Sequence, residues 1–547
     1  MGTTVFVVWR PNSIRSRLAR FLLTVAGLIA IAPLASCGGD PPQIVDYAPQ
    51  RNTVDVSTAA PIRITFDHDV DQASVESRMH LSPLTSGSVQ WANGRQLVYV
   101  HATLRTNTVY EVILEPGYRD PAGNTYTLRH HWSFATEGPP ALSASNPSDG
   151  ESGVDPSAYL SLDFSRAMEP ANLKSAIALS PSVPFDVRID QADSRRAIIA
   201  PSQLLSANTD YRLLLNTAAL DVDGNQLGRN QLVKFSTGAL RPLSHWIAFA
   251  TAGPAGPAGG LWIVNERGFP RELFDSSPVD SFSWSPGGES LLIQGPDQGW
   301  WQFTPGGPAT RLAFKATWAA SLAGALGFVY IDDAGALHRQ DRNGDDAVIS
   351  KDVAEAAVAP NGLRVAFING TSNLNEIWGY DVGLRARYGL AADSAPVGAV
   401  SWAPAANRIA YLRHDLSTTS LRVRNLSGAA ATTTVTTGDL GRPAWLPDST
   451  HLVFAAAVPS SSGPVHKAFV VNVASPPAPL TLASGLPSDP AIEVSSPISS
   501  PDGHQIAFLS GNQVWLMNGD GTRPTALTRE DPASFPYSCR AVAWTRT

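Results

Sequence analysis

The chain has 547 residues, which is too long for one hydrophobic core and indicates several domains. Hydrophobic residues make up 43% and charged residues 16%, which excludes a disordered acidic chain. The net charge is −7, and no basic run follows the N-terminal region, so we exclude nucleic acid as a partner. The 44 glycines and 43 prolines are typical of many short strands joined by turns.

The N-terminus has the three parts of a secretory signal peptide. Arginines precede an apolar stretch, Phe21–Leu34, and small residues then lead to Cys37. The stretch is shorter than the ~20 residues that span a bilayer, which argues against a transmembrane anchor with an incidental cysteine. The ending Leu-Ala-Ser-Cys resembles a bacterial lipobox. This resemblance implies that residues 1–36 are removed, that Cys37 carries lipid, and that residues 37–43 form a tether. The arginines are Arg10, Arg15, Arg17 and Arg20.

Residues 44–138 and 139–240 repeat each other. Each copy contains several short stretches of alternating apolar and polar residues, a pattern that predicts a β-sandwich. The matched motifs are Ile62–Phe66 with Leu160–Phe164, Leu81–Pro83 with Leu179–Pro181, Asn107–Tyr110 with Asn208–Tyr211, Asp120–Asn124 with Asp221–Asn225, and Trp132–Thr136 with Val233–Thr237.

These motifs resemble the bacterial Ig-like domain of S-layer and other surface proteins. The shared features are Asn-Thr-x-Tyr, Asp-x-x-Gly-Asn and the Phe-x-Thr exit, and they cover almost all of residues 42–240. The resemblance implies a spacer or adhesion module without chemistry of its own. The first copy departs from the pattern at Gln50-Arg51-Asn52, where the second has Asp149-Gly150.

A second repeat occupies residues 241–547. Its marker is a short strand, often ending in tryptophan, followed by a turn such as Pro-Asp-Gly and an apolar strand. The clearest unit, Ser495–Thr528, contains four predicted strands, and four strands per tandem unit indicate a β-propeller. The markers are Phe282–Gly288, Val358–Gly362, Val400–Pro404, Pro443–Asp448 and Ile498–Gly503, with a degenerate copy at Ala316–Trp318.

Both ends of this region together supply one further unit. Ala541–Thr545 is a first strand with nothing after it, whereas Trp246–Thr251 and Leu261–Val264 are later strands with no first strand before them. Pairing them closes the ring and hides its sheet edges. The count favours seven blades, with six as the alternative. The complete units begin near Ser281, Ala316, Glu355, Ala399, Arg442 and Ser496.

The repeats resemble those in the propellers of the periplasmic protein TolB and of prolyl-oligopeptidase-type enzymes. The chain departs from TolB in its Ig-like front and in blade number. It departs from the peptidases because it ends at the propeller, with no hydrolase domain. The fold class that we predict is all-β, with two Ig-like sandwiches followed by a propeller.

Candidate chemical sites are few. The chain contains no Gly-x-Ser-x-Gly, His-Glu-x-x-His or Gly-Lys phosphate-loop motif, so we predict no catalytic residue and no cofactor. His130 and His131 are adjacent on a strand and should point to opposite faces, so we expect no metal site there. Asp341–Asp346 is rich in oxygen ligands, but its Asn-Gly favours a solvated hairpin turn. With Cys37 lipidated, Cys539 stays unpaired, and we interpret it as a buried apolar residue.

The tryptophans divide into two groups. Trp300 and Trp301 are neighbours in one strand, so one of them should face outward, as a contact residue or beneath a covered blade edge. The others recur at one place in the repeat, and we interpret them as packing between blades. They are Trp284, Trp318, Trp402, Trp445 and Trp544.

These features predict a lipid-anchored, extracytoplasmic binding or scaffold protein that presents a propeller on Ig-like spacers. Its expected contacts are a membrane, through lipid at Cys37, and an envelope protein or polysaccharide. It would reside at the outer membrane, in the periplasm or on the cell surface. Two alternatives stay open, a propeller enzyme acting on glycans or peptides as hydrolase or lyase, and a TolB-like envelope-integrity factor. Acids and histidines clustered at the channel mouth would favour the enzyme. The sequence does not name ligand-binding residues.

Overall fold

The computed structural model describes residues 39–545 except 253–258, 275–278, 296, 371–373, 428–430, 462, 474–484, 530–534 and 536. The predicted signal peptide and Cys37 lie outside the described residues. Among the residues described, no helix has the length and apolar character needed to cross a membrane.

The first Ig-like domain consists of two sheets, ordered β1-β2-β5-β4 and β3-β6-β7. Alternate residues of β2 (Ile62, Ile64 and Phe66) are buried in its core, as expected of a strand with one face covered. Its elements are β1 (Ile44–Ala48), β2 (Ile62–Phe66), α1 (Gln72–Glu76), β3 (Met79–Ser82), β4 (Gly87–Asn93), β5 (Gln96–His101), β6 (Val109–Leu114) and β7 (His130–Ala135).

The second Ig-like domain repeats this arrangement with sheets β12-β13-β10-β8 and β11-β14-β15-β9. Leu160, Leu162 and Phe164 of β10 take the buried positions of the matched strand. Its elements are β8 (Leu142–Asn146), β9 (Glu151–Val154), β10 (Leu160–Phe164), α2 (Pro170–Ala176), β11 (Ile177–Ser180), β12 (Phe185–Ile189), β13 (Arg196–Pro201), β14 (Asp210–Leu215) and β15 (Gln231–Thr237).

The repeated Asn-Thr-x-Tyr motif makes the same contacts in both domains. The Tyr110 hydroxyl accepts a hydrogen bond from the Arg105 N–H at 3.0 Å, and Tyr211 accepts one from the Ser206 N–H at 2.9 Å. Each tyrosine is buried and pins the segment five residues before it to the sheet. The motif therefore serves the fold, because it satisfies polar groups that burial would otherwise leave without a partner.

The departure at residues 50–52 is a substitution within the same turn. Asn52 has φ 61° and donates its N–H to the Ser133 carbonyl at 2.7 Å. Gly150 has φ 83° and donates to the Lys234 carbonyl, also at 2.7 Å. Asparagine tolerates the left-handed region better than most residues, so it replaces glycine here without a change of turn.

The described residues from 247 to 544 form seven antiparallel sheets of a β-propeller, six with four strands and one, β35-β36-β37, with three. The strands of the first, second and third sheets are β16 (Ile247–Ala252), β17 (Leu261–Val264), β18 (Arg271–Phe274), β19 (Ser281–Trp284), β20 (Leu291–Gln294), β21 (Gly299–Phe303), β22 (Ala309–Lys315), β23 (Trp318–Ser321), β24 (Phe328–Ile331), β25 (Leu337–Gln340) and β26 (Asp346–Ser350), with a 3-10 turn at Gly324–Leu326. The remaining strands are β27 (Val353–Val358), β28 (Arg364–Asn369), β29 (Glu376–Asp381), β30 (Ala386–Ala392), β31 (Val397–Trp402), β32 (Arg408–His414), β33 (Thr419–Asn425), β34 (Thr432–Gly438), β35 (Ala444–Trp445), β36 (His451–Val458), β37 (Val465–Asn472), β38 (Ser495–Ser499), β39 (Gln505–Ser510), β40 (Gln513–Asn518), β41 (Thr525–Ala526) and β42 (Ser538–Trp544).

The predicted closure by the C-terminal strand is confirmed. Strand β42 pairs antiparallel with β16, from Ile247 opposite Trp544 to Ala252 opposite Ser538, and completes the sheet β18-β17-β16-β42. The first strands of the sheets lie innermost and contact those of neighbouring sheets. Second strands are covered on both sides, so consecutive residues such as Val365, Ala366 and Phe367 are buried.

The second Ig-like domain packs directly on the first propeller sheet. Arg271 of β18 is fully buried there and donates to the carbonyls of Ser157 (2.7 Å) and Ala158 (3.1 Å). Its guanidinium carbon also lies 4.1 Å from the Tyr159 ring centroid. Burial lowers the pKa of Arg271 to about 10, so the side chain stays charged at neutral pH. The carbonyls and the aromatic ring together compensate the lost hydration of this cation.

Candidate binding face of the propeller

The two faces of the propeller differ in their connections. The loop face is the face at which the first, innermost strand of each sheet begins; it carries the connections between second and third strands and those between sheets. The turn face is the opposite face; it carries the turns between first and second strands and between third and fourth strands. Arg271, Phe269 and the other residues that meet the second Ig-like domain lie at the turn-face end of their sheet. The loop face of the propeller is therefore turned away from that domain.

Four longer connections of the propeller attach to the loop face. They are Ala252–Gly260, Thr371–Glu376, Pro459–Val465 and Leu486–Glu493, of which 253–258, 371–373 and 462 lie outside the described residues. The last of them is fixed by Lys467, whose buried ammonium donates to the carbonyls of Asp489 and Ile492. Burial lowers the pKa of Lys467. These hydrogen bonds hold the backbone of this loop in a defined conformation, so the loop can contribute to a preformed binding surface.

Acidic side chains outnumber lysines and arginines among the described residues at the loop-face strand ends and in the loops. The acids are Asp280, Asp297, Asp332, Asp333, Asp352, Glu355, Glu376, Asp393, Asp415, Asp439, Asp489 and Glu493, and the basic residues are Lys315, Lys351, Arg413, Arg442, Lys467, Arg529 and Arg540. Several of these acids are ion-paired with arginines, but the described residues still give the loop face a net negative charge, which favours cationic partners.

A cavity of about 380 Å³ opens on this face where the first strands of the third and fourth sheets begin. Its walls include Trp318, Asp332, Asp333 and Glu355, and Arg442 reaches it from the sixth sheet. The Arg442 guanidinium is ion-paired with Glu355. The cavity thus combines an indole surface with three carboxylates and one guanidinium.

Two of the carboxylates are held in place by backbone N–H groups. Asp332 accepts hydrogen bonds from the N–H groups of Ala334 (3.0 Å) and Ala336 (2.7 Å), and His338 Nε2 lies 3.1 Å from it. Burial alone would raise the pKa of Asp332, but the hydrogen bonds from Ala336 and His338 outweigh it and the pKa is lowered. Glu355 accepts hydrogen bonds from the N–H groups of Ala399 (2.8 Å) and Val400 (3.2 Å).

The position that the sequence assigns to Trp318 is wrong. Trp402 pairs with Ile409 at the turn-face end of its strand, whereas Trp318 pairs with Ile331 at the loop-face end. The usual place of the tryptophan is taken by Ser321 in the third sheet. The turn at 322–327 lacks the Pro-Asp-Gly signal that marks this position in other units, and Trp318 is the nearest tryptophan in the sequence, which explains the wrong prediction. Trp318 nevertheless packs against the apolar core between the third and fourth sheets, as predicted of the marker tryptophans, and its half-buried side chain also lines the cavity.

The other marker tryptophans pack between sheets as predicted. Trp284, Trp402, Trp445 and Trp544 are all buried. The indole N–H groups of the last three donate to first-strand carbonyls of the preceding sheet, those of Ala357 (3.1 Å), Ser401 (3.1 Å) and Ile498 (3.3 Å) respectively. Trp300 is fully buried, and Trp301 is half-buried beside Arg311, so the pair divides as expected of adjacent strand residues.

Residues considered for metal binding or nucleophilic chemistry have structural contacts. His130 stacks on Tyr126, whereas His131 pairs with Glu111 at 2.7 Å. Asp341–Asp346 contains the hairpin turn between β25 and β26, with Gly344 at φ 92°. No group of three potential metal ligands occurs in the described part of the chain. Cys539 is buried, and burial raises its pKa to about 11, so its thiol is a poor nucleophile.

Comparison with known families identifies both N-terminal domains. Residues 39–136 and 137–237 each match the bacterial Ig-like domain. No curated protein matches the sequence of this chain.

Three solved structures are similar to parts of the chain. TolB from Acinetobacter baumannii is 16% identical, over 68% of this chain and 83% of TolB, with a TM-score of 0.36. The tricorn protease is 10% identical, over 87% of this chain and 53% of the protease, with a TM-score of 0.37. The β-propeller domain of Myceliophteria thermophila Cps50 (Swd1) is 13% identical, over 51% of this chain and 99% of that domain, with a TM-score of 0.36.

The chain is thus an all-β protein of two bacterial Ig-like domains and a β-propeller, whose fold is established by its own strand pairing. In general terms, this combination supports an extracytoplasmic binding, scaffold or envelope protein.

Proposed function

We propose that this protein is a lipid-anchored, extracytoplasmic scaffold whose propeller binds a component of the cell envelope through its loop face. Lipid at Cys37 would hold the chain at a membrane, and the Ig-like domains would act as spacers. The partner would be an envelope protein or polysaccharide, at the outer membrane, in the periplasm or on the cell surface.

One observation carries the proposal. Arg271 joins the second Ig-like domain to the turn-face end of the first sheet, so the opposite face is the one available to a partner. That same face carries the long loops and the cavity at Trp318 and Glu355. A binding role would account for the long and unequal connections at this end of the sheets, opposite the shorter turns at the other end.

Photo-crosslinking in cells tests the binding face. A photoreactive residue replaces either Thr317, exposed on the loop face, or Asn343, exposed on the turn face of the same sheet. We expect a discrete crosslinked species from position 317 and none from position 343. Crosslinks from position 343 alone, or equally from both positions, would contradict the proposal.

Labelling with a fatty acid tests the anchor. Label should enter the wild-type chain and not the Cys37→Ala variant. The variant should move to the soluble fraction, because it would lack the acyl chains that stable anchoring requires. Equal labelling of the two proteins would rule out lipidation at Cys37.

An enzyme acting on glycans or peptides is the second candidate, and two observations favour it. The carboxylates of Asp332, Asp333 and Glu355 cluster at one cavity, with His338 in contact with Asp332, and a hydroxyl–imidazole contact lies on the same face. On the loop face, the Thr419 hydroxyl lies 3.4 Å from His414 Nδ1, as a weak nucleophile–base pair would. That distance exceeds the ~2.6–3.2 Å of an activated nucleophile. The His338 imidazole, which contacts the cavity carboxylate of Asp332, is already engaged on both nitrogens: Nε2 lies 3.1 Å from Asp332 and Nδ1 lies 2.8 Å from Asp346. Binding is therefore the better-supported activity.

A further inference from the structure

We propose that the cavity beside Trp318 binds an arginine side chain of a partner polypeptide. The inference rests on the proposed function, because it assigns a ligand to the loop face. It starts from the charge of the cavity walls, which carry the carboxylates of Asp332, Asp333 and Glu355 and one guanidinium, that of Arg442. Asp332 is also contacted by His338 Nε2 at 3.1 Å, whereas the Asp333 carboxylate has no ion pair among the described residues. The cavity therefore has an excess of negative charge that a cationic ligand would neutralise.

The negative charge is fixed before any ligand arrives. The Asp332 carboxylate accepts two backbone N–H groups, and the Glu355 carboxylate accepts two more. Asp333 is contacted by the neutral side-chain amide of Gln298, which donates to it when its nitrogen faces the carboxylate. A ligand that meets carboxylates already in position loses little free energy in ordering them.

The indole of Trp318 favours a guanidinium over a simple ammonium. Guanidinium groups are planar, so one can stack on an aromatic face while its edge donates in parallel to carboxylates. The protein itself uses this contact elsewhere, with Arg311 at 5.3 Å from the Trp301 ring and Arg271 at 5.3 Å from the Trp246 ring.

Arg442 shows that the cavity accepts a guanidinium and would compete with the ligand. Its side chain is 60% exposed and its only ion pair among the described residues is with Glu355. An exposed pair of this kind contributes little to stability, so the side chain can leave at small cost. A partner arginine would then replace Arg442 at Glu355 or occupy the Asp332–Asp333 side beside it.

The test uses N-acetyl-arginine amide and its uncharged isostere, N-acetyl-citrulline amide, titrated calorimetrically into the full-length mature protein. We expect saturable binding of the arginine compound alone. Asp333→Asn and Trp318→Leu should each weaken it about 3- to 30-fold, the range for loss of one charged or cation–π contact. Asp345→Asn, an exposed acid on the turn face of the same sheet, is the matched control and should change nothing.

A second variant tests the same cavity without removing a carboxylate or the indole, in case those substitutions disturb folding. Arg442→Gln removes the internal competitor and should strengthen binding of the arginine compound, which a purely structural ion pair would not do. Absence of binding, equal binding of the citrulline compound, or weaker binding by Arg442→Gln would overturn the inference. Those outcomes would leave the loop face as the binding face if crosslinks from position 317 persist. Crosslinks from the turn face alone would refute the proposed function instead.

Discussion

Closure of the propeller by its last strand provides the sharpest test of the fold. Strand β42 buries Cys539 and Trp544, and the Trp544 indole donates to the Ile498 carbonyl at 3.3 Å. Deleting residues 538–547 removes these contacts. It also leaves the N–H and C=O groups of β16 unpaired along one edge, which promotes aggregation.

The expected magnitude approaches the whole stability of a domain. Loss of a buried tryptophan side chain such as Trp544 costs about 3–5 kcal/mol, compared with a total of about 5–15 kcal/mol for a typical domain. The truncated protein should therefore lose its propeller transition in calorimetry. The first Ig-like domain forms a separate compact unit and should keep its own transition.

A disulfide across the closure gives the opposite perturbation. Thr251 lies directly opposite Cys539, and both are buried. The Thr251 N–H donates to the Gly260 carbonyl on the other side, so the two residues form a non-hydrogen-bonded pair with Cα atoms ~4.5 Å apart. That spacing permits a disulfide. Thr251→Cys should form one and stabilise the propeller by up to about 5 kcal/mol, because it closes a very long loop.

Melting with and without reductant measures this effect. Thr436→Cys is the matched control, since Thr436 is buried and pairs with Leu421 rather than a cysteine. Unchanged melting of the truncated chain, or a Thr251→Cys protein in which no disulfide forms, would refute closure by β42.

Three further predictions concern buried or ionised groups. Arg271→Leu leaves two buried carbonyls without a donor and should lower the free energy of unfolding, measured by denaturant titration, by about 2–5 kcal/mol. The control is Arg188→Leu, because Arg188 lies at the same contact but is 52% exposed; this variant should cost under about 1 kcal/mol. Equal effects of the two substitutions would contradict the role of Arg271. Cys539 is buried and has a raised pKa, so its thiol should resist iodoacetamide at pH 8 until the protein unfolds. Mass spectrometry of a Cys37→Ala protein, in which Cys539 is the one remaining cysteine, can measure this labelling. Rapid labelling of the native protein would contradict the burial of Cys539. The lowered pKa of Asp332 means that its contribution is present above its unfolded pKa of about 3.8 and disappears as pH falls through the folded value. Asp332→Asn should therefore destabilise the protein by about 1–3 kcal/mol at pH 7 and much less near pH 2, and a pH-independent difference would contradict this account.

The sequence predicts the architecture well because the repeats carry their own turn chemistry. The Asn-Thr-x-Tyr motif places a strand without reference to distant residues. The two incomplete ends of the propeller region predict each other as partners, and Ile247 does pair with Trp544. Asn52 looked like a departure, yet its φ of 61° matches the turn that Gly150 makes in the second domain. At this turn the two copies share a local conformational preference rather than residue identity.

The candidate site was less predictable, because it depends on which end of a strand a residue occupies. Trp318 lies only a few residues from the expected marker position, and those few residues carry it from the turn face to the loop face. Glu355 and Arg442 are far apart in sequence and meet only because their strands are innermost. Burial of Arg271 against the Ser157 and Ala158 carbonyls likewise has no sequence signal.

The most direct test of the central claim is a screen of the purified mature protein against envelope glycans and peptides, with both binding and turnover measured. We predict saturable binding that is weakened by substitutions at the loop-face cavity, such as Asp333→Asn, without conversion of any ligand. Turnover that is abolished by a single substitution of Asp332, Glu355 or His414 would contradict a binding function and identify the propeller as an enzyme.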